Sequence, residues 1–183
     1  MRDVILHCGT FGRGFSGKTF LNKSFSRSYW HNHGIKSLVL DPNKDDWGNQ
    51  AWVTDDEEKF WHVVWKCETK CATFIDEAAE MIKRDNDKTS LFTRIRHRGH
   101  RMHVMGHDGT NLLPQQRNQL HCLFLFQQTP KAAKAWVETF IDDRIMECTE
   151  LQQYEFLRCI LYGDNGKNFV RKEKLFIPEG QRA

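Results

Sequence analysis

Three glycines, a lysine and a hydroxyl group lie close together near the start of the chain. The segment GRGFSGKT covers residues 12–19, and its spacing Gly12-x4-Gly17-Lys18-Thr19 is that of a phosphate-binding loop. Glycines let backbone N–H groups converge on phosphate oxygens, and a helix that begins near Thr19 adds its positive dipole end. Lys18 can neutralise the β- and γ-phosphates of a nucleotide, and the Thr19 hydroxyl can coordinate Mg²⁺. The alternative is a glycine-rich turn that merely starts a helix.

A nucleotide with β- and γ-phosphates is the ligand that this loop predicts, with Mg²⁺ as its cofactor. The predicted nucleotide-binding residues are Gly12, Arg13, Gly14, Phe15, Ser16, Gly17, Lys18, Thr19 and Phe20.

A pair of carboxylates follows a second apolar run. Residues 72–75 are apolar or small, and Asp76 and Glu77 come directly after them. The carboxyl ends of strands in such sheets face the ligand crevice. Asp76 would therefore hold Mg²⁺, directly or through water, and Glu77 would orient and deprotonate the water that attacks the γ-phosphate. An acid pair at a helix N-terminus is the structural alternative. Asp41, at the end of another apolar run, could line the same crevice or cap an Asp-Pro turn.

Basic residues are concentrated in one later segment. Residues 94–103 contain four arginines and three histidines and no acid. Cations near a helix C-terminus, with Gly99 as the stop, explain such a cluster structurally. The other interpretation is that this edge meets phosphate, either of nucleic acid or of a nucleotide on a neighbouring subunit.

The elements that position these groups alternate along the chain. Strands are predicted at residues 4–8, 37–42, 71–75, 102–105 and 121–126, and helices at 19–30, 55–65, 112–119 and 130–148. Residues 77–85 are predicted to start another helix. Strands that read as continuous apolar runs between helices predict a mostly parallel sheet with helices on both faces. The fold class is therefore α/β with three layers. The runs 156–162 and 168–171 flank turn residues and predict a C-terminal β-hairpin at a sheet edge.

Composition limits the class of protein. The 183 residues carry a formal net charge of +3, which permits a polyanionic partner without requiring one. We expect a single domain over residues 1–183, with a core at about 3–150 and the hairpin at about 155–175. No apolar stretch is long enough to cross a bilayer, which predicts a cytosolic protein. The six cysteines are predicted to be free and mostly buried.

Six segments, taken in order, resemble the FtsK-HerA superfamily of P-loop ATPases, especially the small genome-packaging ATPases of viruses and phages. They are GRGFSGKT, SLVLDPNKDDW, ATFIDEAAE, RIRHRGHRMHVMGHD, QQRNQLHCLFLF and LQQYEFLRC, within residues 3–162. The Arg-His-x-Gly element and the Arg-Asn-Gln segment before an apolar strand are more specific than the loop and the acid pair. The resemblance implies a P-loop NTPase domain of the RecA-like (ASCE) type that assembles into a homo-oligomeric ring and hydrolyses ATP to move double-stranded DNA.

The resemblance also implies roles for particular residues. The positions of Lys18, Thr19, Asp76 and Glu77 match the phosphate, metal and water-activating residues of the family. The implied partners are the phosphates of double-stranded DNA, further copies of the chain, and capsid or portal-vertex proteins. The implied location is the cytoplasm of a host cell, with association to the virion.

Three further positions are compared with the family pattern. Arg96 and Arg117 match arginines suited to act across a subunit boundary. The family usually ends its fourth strand with a glutamine that senses the γ-phosphate, whereas this chain has Gly106, His107 and Asp108. His107 can donate a hydrogen bond, so it either replaces this sensor or is a polar residue of a loop.

Other classes of protein fit parts of the sequence. FSGKT and IDEA also resemble nucleoside kinases of the thymidine kinase type, although the late paired cysteines of their zinc domain are missing. A nucleotide-switched adaptor that hydrolyses slowly is a third class. Cys67 and Cys71 with His62 could bind zinc, but a fourth ligand is not evident. Trp61 and Trp65 are predicted to form the core face of a helix, with base stacking or subunit packing as the alternative.

Overall fold

The computed structural model describes residues 7–77, 86–162 and 167–178. The strands are β1 (Cys8–Phe11), β2 (Ser37–Leu40), β3 (Ala51–Thr54), β4 (Ala72–Ile75), β5 (Arg101–Gly106), β6 (Cys122–Leu125), β7 (Glu155–Ile160) and β8 (Phe169–Lys174). The helices are α1 (Lys18–His33), α2 (Glu57–Lys66), α3 (Asn86–His97), α4 (Pro114–Arg117), α5 (Pro130–Phe140) and a 3₁₀ helix (Asp143–Glu150).

One sheet contains all the strands of the described residues, in the order β3-β2-β4-β5-β1-β6-β7-β8. Strands β3 to β6 in this order pair in parallel, and β7 and β8 pair antiparallel at one edge. The mostly parallel α/β sheet and the C-terminal hairpin are therefore confirmed. Strand β5 lies between β1 and β4. The glycine loop and the acid pair therefore follow the carboxyl ends of two strands that are separated only by β5.

The sheet is covered on both faces. Helix α1 packs on one face, where Leu21 contributes to a cluster with Phe124 and Phe126. Helices α2, α3 and α5 and the 3₁₀ helix cover the other face, where residues such as Phe60 and Trp136 form the largest apolar cluster. Burial on both faces explains why the parallel strands read as continuous apolar runs.

Some predicted boundaries were wrong. The first strand covers Cys8–Phe11, later than the predicted run 4–8, of which residues 4–6 lie outside the described residues. The helix predicted over residues 130–148 ends at Phe140, because Ile141 has a left-handed backbone with φ of 53°. Asp142 then starts the 3₁₀ helix, and its side chain accepts a hydrogen bond from the backbone N–H of Arg144.

Strand β3 was missed because its apolar signal is weak, whereas α3 follows the segment 77–85 in which a helix was predicted to start. Strand β3 is four residues long, and three of them are half-buried. Helix α3 is rich in polar residues, and Phe92 and Ile95 are its fully buried apolar residues within the part whose side chains are described. The segment 77–85 lies outside the described residues except for Glu77.

The cysteines pack largely as predicted, but Trp61 and Trp65 are half-buried against the core and do not form the fully buried face of α2. The fully buried residues of α2 are Phe60 and Val64, and Trp61 and Trp65 stack beside them with ring centroids 6.1 Å apart. The six cysteines are free, and Cys67 is the half-buried exception among otherwise buried thiols. Within the described residues, no helix has both the length and the apolar character needed to cross a bilayer.

Candidate nucleotide-binding site

The glycine loop joins the carboxyl end of β1 to the start of α1, as the motif requires. Two of its glycines are fixed by close neighbours. A Cβ atom on Gly12 would lie 2.5 Å from Cβ of Phe126, and one on Gly17 would lie 2.7 Å from Cδ1 of Leu175. Gly17 also has φ of 104°, in the left-handed region that glycine adopts without strain. The loop conformation therefore depends on glycine at both positions.

The N-terminus of α1 is arranged to receive an anion. Gly17 caps the helix without a side chain, and the first turn, residues 18–21, contains no acid. The first N–H groups of a helix have no acceptor within the helix, and they carry its positive dipole end. Phosphate oxygens are the ligands that such a terminus after a glycine loop binds.

Lys18 occupies the centre of the loop. Its side chain is buried, and Nζ donates hydrogen bonds of 2.9 Å to the carbonyl oxygens of Gly12 and Arg13. Burial lowers the pKa of the Lys18 ammonium, and the nearby carboxylates of Asp76 and Glu77 act in the opposite direction. The lysine of the loop and the acid pair after β4 therefore share one electrostatic environment.

Asp76 is a buried carboxyl group with a perturbed pKa. Burial raises its pKa to about 6, and the charges of Asp41 and Glu77 act in the same direction. The backbone N–H of Glu77, which donates a 2.9 Å hydrogen bond to Oδ1, and the ammonium of Lys18 favour the ionised form. A cation held beside this group would favour ionisation further.

The residues present fit a magnesium ion. The Asp76 carboxylate and the Thr19 hydroxyl are oxygen ligands, which Mg²⁺ prefers. No group of three or more His, Cys, Asp or Glu side chains in the described part of the chain could hold a metal by itself. This donor set suits Mg²⁺, which is commonly bound by one or two protein oxygens together with substrate phosphates and water.

Glu77 and His107 come together across neighbouring strand ends. Glu77 has a left-handed backbone with φ of 47°, so it lies in a turn and not in the predicted helix. Nε2 of His107, which follows β5, lies 3.5 Å from Oε1 of Glu77, a distance suited to an ion pair when the imidazole is protonated. The side chain of Glu77 is 30% exposed and that of His107 61%, so both can meet a ligand in the crevice.

Asp41 is explained by its own turn. Oδ1 accepts a hydrogen bond from the backbone N–H of Asn43, and Oδ2 accepts from the backbone N–H of Asp45 and from Nε1 of Trp47. The side chain is fully buried. The turn-capping interpretation of Asp41 therefore holds, and its charge affects the site only by raising the pKa of Asp76.

Two cavities flank the glycine loop. One of about 290 Å³ lies between the loop and the ends of β5 and β6, and its lining includes Arg13, His107 and Gln128. The other, of about 530 Å³, extends from the loop along α1 to Tyr154 and Ile177. These roles of Gln128, Tyr154 and Ile177 were not predicted from the sequence; Tyr154 lies in the segment LQQYEFLRC, to which no ligand contact was assigned. Gln128 is buried and donates a 3.4 Å hydrogen bond to the carbonyl oxygen of His107.

Arg96 lies near the amino ends of the parallel strands, whereas the glycine loop of its own chain follows the carboxyl end of β1. Nη1 lies 3.4 Å from Nε2 of His121, and Nη2 lies 3.5 Å from Oε1 of Gln119. These two residues precede β6, whereas the loop follows β1, and the two strands are parallel. Arg96 is therefore remote from the glycine loop of its own chain.

Other arginines of the basic segment pack on aromatic rings. The guanidinium groups of Arg94 and Arg98 lie 4.9 and 5.8 Å from the ring centroid of Trp65, and that of Arg101 lies 5.2 Å from the ring of Tyr29. Arg94 lies in the last turn of α3, as the structural interpretation of the basic segment requires, whereas Arg101 belongs to β5.

Arg117 is not placed like Arg96. Its side chain is buried, with Nε donating to Oγ1 of Thr139 and Nη1 donating to the carbonyl oxygens of Gly109 and Leu112 at 3.0–3.2 Å. These contacts would have to break before the guanidinium could reach a neighbour. The structure therefore favours a structural role for Arg117 over the predicted role across a subunit boundary.

Solved structures with the same architecture include viral packaging enzymes. The genome packaging NTPase B204 from Sulfolobus turreted icosahedral virus 2, in complex with AMPPCP, matches with a TM-score of 0.75 and 19% identity over 93% of this chain and 97% of that chain. Its complex with ATP-gammaS matches with a TM-score of 0.74 and 20% identity over 96% of this chain and 100% of that chain. The N-terminal domain of zonular occludens toxin from Neisseria meningitidis matches with a TM-score of 0.55 and 12% identity over 96% of each chain.

The fold and the loop together define the class: this chain has the fold of the P-loop NTPases. Within that class, the resemblance to the genome-packaging ATPases is confirmed at the level of the fold, over nearly the full length of both chains. No protein-family model matches the chain, and no curated protein matches its sequence.

Proposed function

We propose that this chain is a magnesium-dependent ATPase that moves double-stranded DNA as the packaging motor of a virus or phage. One observation carries the proposal: the ammonium of Lys18 lies in the glycine loop within electrostatic reach of Asp76 and Glu77. Because β1 and β4 are separated only by β5, this supports a site in which the loop binds phosphate, Asp76 binds the metal and Glu77 acts as the general base. The packaging NTPase that shares the fold has been solved with AMPPCP and with ATP-gammaS.

The chemistry follows from the placement of these groups. The loop N–H groups and Lys18 would hold the β- and γ-phosphates, and Thr19 and Asp76 would hold Mg²⁺, which neutralises phosphate charge. Glu77 would accept a proton from water as the water oxygen bonds to the γ-phosphorus. The bond from that phosphorus to the bridging oxygen then breaks, and ADP and phosphate leave. His107 would position the Glu77 carboxylate, since its ring contacts that group.

The motor is proposed to act as a homo-oligomeric ring. Arg96 lies near the amino ends of the parallel strands, away from its own loop. In a head-to-tail ring, Arg96 of one subunit could therefore reach the γ-phosphate bound by its neighbour. DNA would be held through its phosphates, because a motor must ignore base sequence. Attachment to capsid or portal-vertex proteins in the host cytoplasm or virion belongs to the same proposal. The nucleoside kinase alternative is not favoured, because the full-length structural matches with TM-scores of 0.74 and 0.75 are of a packaging NTPase.

The function is tested by measuring phosphate release from Mg-ATP with and without linear double-stranded DNA. Stimulation by DNA of unrelated sequences supports a motor, and its decline with added salt would reflect contacts to phosphates. Glu77→Gln protein is the control for contaminating ATPases. Phosphoryl transfer to thymidine, or hydrolysis that DNA does not change, would contradict the translocase proposal.

Lys18→Ala is expected to weaken ATP binding by about 10- to 100-fold, the effect of removing one hydrogen-bonding charge. Isothermal titration calorimetry with Mg-ATP measures it. Lys36→Ala is the control, because Lys36 is exposed and precedes β2, at the amino ends of the parallel strands and away from the loop. If Lys18→Ala binds ATP as tightly as the unmodified chain, the loop is not the phosphate site.

A further inference from the structure

The larger cavity beside the loop extends well beyond the space that phosphates require. It shares residues 15–20 with the loop and the first turn of α1, and it continues along α1 past Lys23 to Arg27. Thr19 and Arg27 are eight residues apart on this helix, which is a distance of about 12 Å along its axis. The cavity is thus continuous with the proposed phosphate site, and its far part can hold another portion of the same ligand.

The two ends of the C-terminal hairpin form one wall of this cavity. Tyr154 comes just before β7, and Ile177 comes after β8. The backbone N–H of Leu175 donates a 2.9 Å hydrogen bond to the carbonyl oxygen of Tyr154, which ties the two ends together. Nε2 of Gln153 donates to the carbonyl oxygen of Phe15 at 3.4 Å. The hairpin is therefore attached to the loop at the cavity.

Tyr154 is held in an unusual backbone conformation. Its φ is 66°, in the left-handed region that costs a bulky residue free energy. The ring lies at the loop, since its Cδ1 is 3.4 Å from the position of a Cβ built on Gly17. The half-buried Tyr154 and the buried Ile177 give the cavity an apolar part. Its charged lining comes from Lys23 and Arg27 of α1 and from Asp45 and Asp46.

We infer that this cavity binds the nucleoside of the nucleotide and that the ring of Tyr154 stacks on the base. The inference rests on the proposed function, because the phosphates must first be held by the loop. An aromatic face beside an aliphatic side chain suits a flat, largely apolar base. Stacking on one ring accepts any base, and a purine offers more area than a pyrimidine.

Calorimetry that compares Mg-ATP with Mg-tripolyphosphate tests this inference. The unmodified chain should bind ATP more tightly than tripolyphosphate, which has the phosphates without a nucleoside. Tyr154→Ala should weaken ATP binding by about 5- to 150-fold, the range for loss of one aromatic stack. It should leave the affinity for tripolyphosphate unchanged within about twofold, because the phosphate contacts on the loop remain.

Two variants serve as controls. Tyr154→Phe keeps the ring and should keep the affinity for ATP. Tyr154→Asn removes the ring but suits the left-handed backbone, so it replaces the alanine variant if that protein fails to fold, as judged by thermal unfolding. The two ring-free variants should behave alike.

The outcomes separate this inference from the proposed function. If the unmodified chain binds neither ligand, both are overturned. If it binds the two ligands equally, or if the ring-free variants bind ATP normally, the nucleoside site is overturned and the phosphate site stands. Equal weakening of both ligands would show that Tyr154 only supports the loop, which also overturns the inference.

Discussion

Glu77→Gln is expected to lower the rate of ATP hydrolysis by about 10²- to 10⁴-fold, while ATP still binds. An amide has nearly the same shape as the carboxylate but cannot accept the proton of the attacking water. The phosphate contacts of Lys18 and the loop do not involve the Glu77 carboxylate, so affinity should persist. Phosphate release under saturating Mg-ATP measures the rate, and calorimetry measures the affinity.

The control for this variant is Glu58→Gln, which changes an exposed carboxylate in the first turn of α2. It should hydrolyse ATP at the normal rate. His107→Ala should slow hydrolysis by a smaller factor than Glu77→Gln, since the imidazole contacts the base without replacing it. A Glu77→Gln protein with ordinary turnover would remove Glu77 from its proposed role.

Arg96→Ala is expected to reduce hydrolysis by about 10³- to 10⁵-fold, the range for an arginine that stabilises the charge of phosphoryl transfer. ATP binding should remain, because the loop of the same chain lies at the carboxyl ends of the strands, away from Arg96. The reason for the loss is electrostatic: the guanidinium of the neighbour would neutralise charge that develops on the transferred phosphoryl group. Phosphate release by the purified variant measures the effect.

Mixing subunits tests whether Arg96 acts on a neighbour. Arg96→Ala subunits keep Glu77, and Glu77→Gln subunits keep Arg96, so mixed rings should contain some complete sites and recover part of the activity. Arg94→Ala is the matched control, because Arg94 is on the same helix but packs on Trp65. Full activity of Arg96→Ala protein, or no recovery on mixing, would rule out a role across the boundary.

The sequence alone was sufficient for the loop and the acid pair. Both are short motifs in which adjacent residues perform the chemistry, and the flanking strand and helix follow from local patterns. The alternation of apolar runs was also enough to predict a mostly parallel sheet, because strands buried on both faces need apolar residues throughout. The terminal hairpin was predicted from its turn residues for a similar, local reason.

Other features were decided only by tertiary structure. The local sequence around Arg96 and around Arg117 does not distinguish the two residues. In the structure, Arg96 lies near the amino ends of the parallel strands, and Arg117 is buried against Thr139 on α5. The Tyr154 wall exists because the hairpin packs against a loop that is 138 residues earlier, as the contact from Gln153 to Phe15 shows. Such contacts join parts of the chain that no local pattern relates. The sequence determined which groups could bind phosphate, and the packing of distant segments decided which arginine and which cavity are available to the ligand.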